Sequence, residues 1–181
     1  MNPASQSTPG KKPVADQSAM DAIALLTADH REVKGLFQQY DKLEQGDASE
    51  EDRQLLASQI CVLLTVHTRI EEEIFYPEAR NALGAKGSDL LDEAEVEHAG
   101  AKNLIRELKA MNATDELFDA KVKVLGESVD HHVGEEEGEL FPKVRSSSMD
   151  LQDVGRRMDA RKKELMASTE ALEPLPNELP H

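Results

Sequence analysis

Two stretches of this chain, HTRIEEEIFYP at 67–77 and HVGEEEGELFP at 132–142, align without a gap at an offset of 65. Each opens on a histidine followed four residues later by a glutamate: His67-x-x-x-Glu71 and His132-x-x-x-Glu136. Residues at i and i+4 share one helix face, so each motif projects an imidazole and a carboxylate in the same direction. Two further histidines, His30 and His98, stand upstream of these motifs at an offset of 68. The chain therefore reads as a duplicated helical hairpin, with a His on its first helix and His-x-x-x-Glu on its second. Two such hairpins joined by short loops predict an all-α fold, an antiparallel up-down four-helix bundle.

The apolar spacing supports this. Ile23, Leu26, His30, Val33, Phe37 and Tyr40 recur in steps of three and four, predicting a first helix from near Ser18 to the Gly46-Asp47 turn signal. A second helix starts after Ser49, with Asp52 completing an approximate capping box. Its seam runs Leu56, Ile60, Leu63, His67, Ile70, Glu71 and Ile74, and Pro77 is expected to kink or end it. Gly84 to Ser88 reads as a loop. The third helix carries Leu91, Ala94, His98, Ala101, Ile105 and Leu108, up to a break at Asn112-Ala113-Thr114. The fourth carries Phe118, Val122, Leu125, Val129, His132, Glu136 and Leu140, closed by Pro142. An additional C-terminal helix is expected from about Met149 to Leu172, opened by Ser147 or Ser148 with Asp150 in its first turn. Its charges outnumber its apolar residues, so it is expected to pack loosely or to offer a surface to a protein partner. The organisation expected is a disordered tail over 1–19, the bundle over 20–145, the C-terminal helix over 146–173 and a Pro-rich tail over 174–181. The terminal His181 is assigned no role.

A single histidine on an apolar face is usually a satisfied core residue. Four in the seams of four consecutive helices, with two carboxylates beside them, are not, because each costs free energy unless hydrogen-bonded or ligated. A metal site built from His30, His67, Glu71, His98, His132 and Glu136 satisfies all of them. Six ligands exceed the needs of one tetrahedral zinc. Two six-coordinate ions need about twelve positions; four imidazoles, two bridging carboxylates and a bridging oxide or hydroxide leave about two open. Those would take solvent, dioxygen, peroxide or nitric oxide. Mixed N/O ligation suits iron best, with manganese or zinc as alternatives. His131 lies about 100° around the helix from His132 and is expected to pack at a helix boundary, with an accessory metal role as the alternative. Glu95 reads as solvated, with a seventh ligand or an acceptor for an imidazole N–H of His98 as alternatives. Glu72, Glu73, Glu135 and Glu137 read as exposed surface, and Glu97 as a residue beside an access path.

The net charge of −15 argues against nucleic acid and anionic membranes as partners. One cysteine, Cys61, allows no internal disulfide and reads as a buried apolar residue. The opening residues lack the apolar core of a secretory signal and no run reaches membrane-spanning length, so a cytoplasmic location is expected.

With DHREVKGLF around His30, EHAGAKNLI around His98, and the two His-x-x-x-Glu motifs with their FYP and LFP endings, residues 20–145 resemble the hemerythrin-like HHE cation-binding family. The resemblance implies a four-helix bundle around an oxo- or hydroxo-bridged pair of iron ions with two bridging carboxylates. It also implies binding, sensing or turnover of dioxygen, peroxide or nitric oxide, weak catalase-like activity included. The chain departs from the oxygen carriers of that family. Where they have a second histidine one turn from the third-helix His, it has Ala94 and Lys102. Where they end on His-x-x-x-x-Asp it has His132-x-x-x-Glu136, a pattern that His131 and Glu136 only mimic. The ligand set is similar to that of the iron-centre repair proteins, without the cysteine-bearing domain many of them carry. These departures favour redox chemistry or sensing in a stress response over oxygen carriage. The alternatives are an oxygen- or iron-storing protein without turnover, and a bundle in which zinc only holds the helices together.

Overall fold

A computed structural model describes residues 20–46 and 48–168. The expected tails at 1–19 and 174–181, and the last turn expected of the C-terminal helix, fall outside these residues, as does Asp47. Among the described residues the protein is all-helical. Helix α1 spans Ala22–Gln45, α2 Glu50–Ile70, α3 Tyr76–Leu83, α4 Ser88–Lys109, α5 Phe118–Glu135, α6 Phe141–Arg145 and α7 Leu151–Ala167. The long rods of the bundle are α1, α2 with α3, α4, and α5 with α6.

The chain starts α1 later than the periodicity suggests. Asp21 is its cap, accepting from the Ala24 N–H at 2.8 Å, because an aspartate there satisfies a donor that Ser18 would leave three residues short. Ser49 caps α2 as expected, accepting from the Asp52 N–H at 3.1 Å. Neither proline ends its rod. Between α2 and α3, and again between α5 and α6, the backbone widens into a π-helical turn, over Glu71–Phe75 and Glu136–Leu140. Pro77 and Pro142 then fall in the first turn of the following α segment, where a missing N–H is tolerated. The rods therefore continue to Leu83 and Arg145. Such single-turn π bulges are rare and gather at functional sites. Here each begins at the glutamate of a His-x-x-x-Glu motif.

Packing divides the interior. One apolar cluster holds Leu26, Ile70, Phe75, Leu91, Leu140 and Phe141; another holds Leu36, Ile60, Leu64, Ile105, Phe118 and Leu125. On each of the four rods a buried histidine lies at the junction of the two clusters. Cys61 sits in the second cluster, where burial pushes its thiol up to about 11. Helix α7 lies against α1, α2 and the first π turn. It begins at Leu151, capped by Asp150, whose side chain accepts from the Asp153 N–H at 3.0 Å in place of the serines upstream. The expectation of loose packing is overturned: Val154, Met158 and Leu165 are fully buried. At Gly155 the helix comes so near the start of α1 that a Cβ would stand 2.6 Å from the Met20 carbonyl oxygen. A sequence poor in apolar residues still docks closely, because its few apolar side chains fall on one face and a glycine lets the backbones approach.

Candidate metal centre

The six residues singled out by the repeat are all buried and meet at the junction of the two apolar clusters. The first hairpin contributes one histidine pair, with the rings of His30 and His67 4.9 Å apart. The second contributes the other, with His98 and His132 4.7 Å apart. Glu71 and Glu136 lie between the two pairs. Oε2 of Glu71 is 3.3 Å from Nε2 of His67 and 3.3 Å from Nε2 of His98. Oε2 of Glu136 is 3.3 Å from Nε2 of His30 and 3.6 Å from Nε2 of His132. Each carboxylate thus faces one imidazole of each pair.

The outer face of every imidazole meets a second carboxylate. Nδ1 of His30 lies 2.9 Å from Glu137, Nδ1 of His98 2.9 Å from Glu72, and Nδ1 of His132 2.7 Å from Glu97. Asp29 stands 3.6 Å from Nδ1 of His67, beyond hydrogen-bond reach. A carboxylate on Nδ1 holds the proton there and turns the Nε2 lone pair inward, as partners of metal-bound histidines do. The outer groups obey the internal repeat. Asp29 and Glu97 each precede a first-helix histidine and face the His of the neighbouring helix in the same hairpin. Glu72 and Glu137 each follow a glutamate of the inner cluster and face a His of the other hairpin. Lys102 binds Glu72 at 2.9 Å, and Lys162 of α7 binds Asp29.

Two sequence expectations need correction here, and one is extended. Glu137 is exposed as expected and Glu72 is half-buried, and each also sets a carboxylate oxygen 2.9 Å from an imidazole Nδ1. Glu97 lies between two histidines rather than only beside a path. His131 is not packed at a helix boundary but is exposed, with Nε2 3.4 Å from both Glu97 and Glu135. The signal that would have found the outer carboxylates is in the chain: Asp29-His30 with Glu97-His98, and Glu71-Glu72 with Glu136-Glu137, recur at the same offsets as the ligands. Glu95 is solvated as expected, paired with Arg80.

Tyr76, fully buried, donates to Oε1 of Glu136 at 2.9 Å and lies 3.2 Å from Nε2 of His98. Burial, then the charges of Glu71 and Glu136, hold its phenol well above the usual range. In the other half the equivalent position is Phe141, whose ring stacks on His30 at 5.8 Å. Burial and the neighbouring Glu136 charge raise Glu71 well above the usual carboxylate range. Burial opposes ionisation of Glu136 as well, but the His30 imidazole 3.3 Å away and the charge of His132 outweigh it and hold Glu136 at about 2. Burial would lower His30; Glu136 outweighs it and lifts the imidazole to about 9. Burial takes His67 down to about 4.

These residues fit a metal. Nε2 of His30, both ring nitrogens of His67, both oxygens of Glu71 and Oε2 of Glu136 are buried without a hydrogen-bond partner. Each such orphan costs about 1–3 kcal/mol, so protein groups alone do not explain the arrangement. Nε2 of His98 and Nε2 of His132 stand 3.1 Å apart. With both Nδ1 atoms protonated, two lone pairs face each other across that gap, and a cation relieves the repulsion. Two donors bound at about 2.1 Å to one ion stand roughly 3.0–3.4 Å apart at right or tetrahedral angles. The ligand-atom separations above lie at or near that range.

A family profile described as "Hemerythrin HHE cation binding domain" matches residues 21–144. A protein from Nostoc sp. named "DNA nickase" is 29% identical over 133 residues, covering 74% of this chain but 36% of its own length. The chain thus spans little more than a third of that relative. An uncharacterized protein of Mycobacterium tuberculosis is 25% identical over 155 residues, covering 82% of this chain and 89% of that one. The crystal structure of a hemerythrin HHE cation-binding domain-containing protein from Mycobacterium kansasii superposes with a TM-score of 0.68 at 22% identity, covering 83% of this chain and 90% of that one. That likeness speaks for the fold.

Proposed function

We propose that this chain, which belongs to the hemerythrin HHE cation-binding domain family, holds two iron ions between its histidine pairs and there reacts with or senses peroxide, dioxygen or nitric oxide. The observation that carries the reading is the set of orphaned buried ligand atoms converging from both hairpins. His30 and His67 would hold one ion, His98 and His132 the other, and Glu71 and Glu136 would span both. Iron in such a ligand set supplies reversible one-electron chemistry at positions the protein leaves open.

The protein's own contribution is orientation, exclusion of water and a limit on size. The outer carboxylates fix the imidazole tautomers. Tyr76 supplies the donor closest to the bridging carboxylates, on Oε1 of Glu136. Beside the four imidazoles lies a cavity of about 20 Å³ walled by Val33, Leu64, Ala101, Val129 and Val133. That space admits a molecule of water's size, which suits diatomic ligands and peroxide and excludes organic substrates. A wider groove of about 270 Å³ between α1 and α5 shares His30, Val33, Val129 and Val133 with it and gives the approach from solvent. We read the partner as a small molecule and not nucleic acid, on the net charge of −15; the nickase name attaches to a much longer protein.

The test is metal content per chain in protein produced with iron available, with absorption spectra before and after peroxide. Two irons, a ferric charge-transfer band and a spectral response to peroxide are expected. Stoichiometric zinc with a featureless spectrum would remove the redox reading and leave a metal-structured bundle.

A further inference from the structure

Outside the buried centre, one more cluster of ligand-type side chains spans two helices. His131 and Glu135 lie one turn apart on α5, and Glu97 faces them from α4. Nε2 of His131 is 3.4 Å from Oε1 of Glu97 and 3.4 Å from Oε1 of Glu135, and the three ligand atoms lie within 4.8 Å of one another. A tetrahedral ion with bonds of about 2.1 Å sets its donors roughly 3.4 Å apart. Both edges at His131 therefore match a coordination site, and His131 is exposed, leaving a water-facing side for further ligands.

A second observation ties this cluster to the interior. Glu97 turns its two oxygens to two different histidines: Oε1 to the exposed His131, Oε2 to Nδ1 of the buried His132 at 2.7 Å. A cleft of about 10 Å³ runs between α4 and α5, with Glu97 and Glu135 on its walls together with His132 and Glu136. Glu136 thus borders both the cleft and the buried cluster, where its Oε2 lies 3.3 Å from Nε2 of His30 and 3.6 Å from Nε2 of His132 without a hydrogen-bond partner. That volume is close to that of one water molecule or one ion. The equivalent cap in the first hairpin, Asp29, is instead neutralised by Lys162 and covered by α7. Of the two hairpins, only the second leaves its cap carboxylate facing an exposed imidazole.

We propose that Glu97, His131 and Glu135 form a separate, solvent-facing divalent-cation site that receives metal and passes it inward along the α4–α5 cleft to the buried centre. The relay rests on the reading of the buried centre given above; the outer site itself does not. An exposed site with three protein ligands binds weakly and exchanges quickly, which suits delivery. The net charge of −15 draws cations to the surface, and an imidazole with two carboxylates selects among them. Transfer needs no redox step: the ion exchanges the ligands of one site for those of the next.

The test uses the full-length chain stripped of metal. Cobalt(II) binding is counted by equilibrium dialysis, and filling of the centre is followed by stopped-flow absorption, for wild type, His131→Ala, Glu135→Gln and His67→Ala. We expect His131→Ala and Glu135→Gln to bind one ion fewer at saturation and to fill the buried centre about tenfold more slowly, reaching the same final occupancy there. His67→Ala should lose buried ions and keep the outer one. Unchanged stoichiometry in His131→Ala and Glu135→Gln overturns the site; one ion fewer with an unchanged filling rate overturns the relay. Were the buried-centre reading wrong, wild type would bind only an ion that His131→Ala abolishes, a result distinct from both.

Discussion

The two halves of the bundle carry the same metal-facing groups and surround them differently. Each provides a histidine pair, a glutamate at the head of a π turn and two outer carboxylates facing imidazole Nδ1 atoms, though Asp29 stops 3.6 Å short of His67. In the first half the His67 cap is tied to Lys162, and α7 covers α1, α2 and the π turn. In the second, Glu97 opens toward His131 and solvent. Tyr76 gives Glu136 a hydrogen-bond donor, while Glu71 has none. The two carboxylates also shift in opposite directions: burial and the Glu136 charge raise Glu71, while burial at Glu136 is outweighed by His30 and His132, which lower it. Duplication supplies a symmetric set of ligands. Residues outside the repeat make the two ends of the centre unequal.

The strongest way to break this comparison is to remove the groups the halves share. Because each bridging glutamate faces both histidine pairs, Glu136→Ala should cost metal at both ends, taking elemental analysis from two ions per chain to well under one. His67→Ala should cost the first end more than the second. Thermal stability should fall in both variants, because ligands left behind stay buried and unpaired. A Glu136→Ala protein that keeps its full metal content would refute the shared centre.

Next comes the cover over the first half. Gly155→Ala pushes a methyl against the Met20 carbonyl and the Ala22 amide, and about 1–3 kcal/mol of destabilisation is expected in denaturant titrations. The first end should release its ion to a chelator sooner than the second; equal release from both would mean that α7 shields neither.

The outer carboxylates sharpen the comparison further. Glu72→Gln and Glu137→Gln should each weaken metal binding about 10–100-fold in competition with a chelator. Lys102→Met, which strips the cation from Glu72 and leaves the carboxylate, should change affinity less than Glu72→Gln does. The reverse order would show that the lysine, not the carboxylate, matters to His98.

The smallest effect is expected at the one ring that distinguishes the halves. Tyr76→Phe gives the first half the phenylalanine of the second and leaves Oε1 of Glu136 without its donor. About 1 kcal/mol of stability should be lost from the metal-free protein, measured by thermal melting. No change would place the source of inequality in α7 alone.

The fold and the convergence of the inner histidines and glutamates were legible because both rest on periodicity. Spacing of three and four residues put His30, His67, His98 and His132 on the apolar seams, and the 65-residue offset paired Glu71 with Glu136. Other features were illegible for definite reasons. Pro77 and Pro142 looked like helix ends because the π turns that accommodate them leave no compositional mark. Glu72 and Glu137 looked like solvated charge because a regular α-helix would turn them away from the imidazoles. The grip of α7 depends on Gly155 meeting the start of α1 and on Lys162 reaching Asp29, contacts between residues more than a hundred positions apart.

The burial of Cys61 bears on how such a protein would age. Its thiol is raised to about 11 and sealed in the core, so it offers no thiolate to an oxidant. Its thiol supplies no reducing equivalents while folded, and a disulfide between two copies would require unfolding. Were the centre to handle peroxide as proposed, wear would fall first, among the described residues, on the exposed methionines Met20 and Met166. Conversion of those to sulfoxide is repairable and leaves the metal-facing residues untouched.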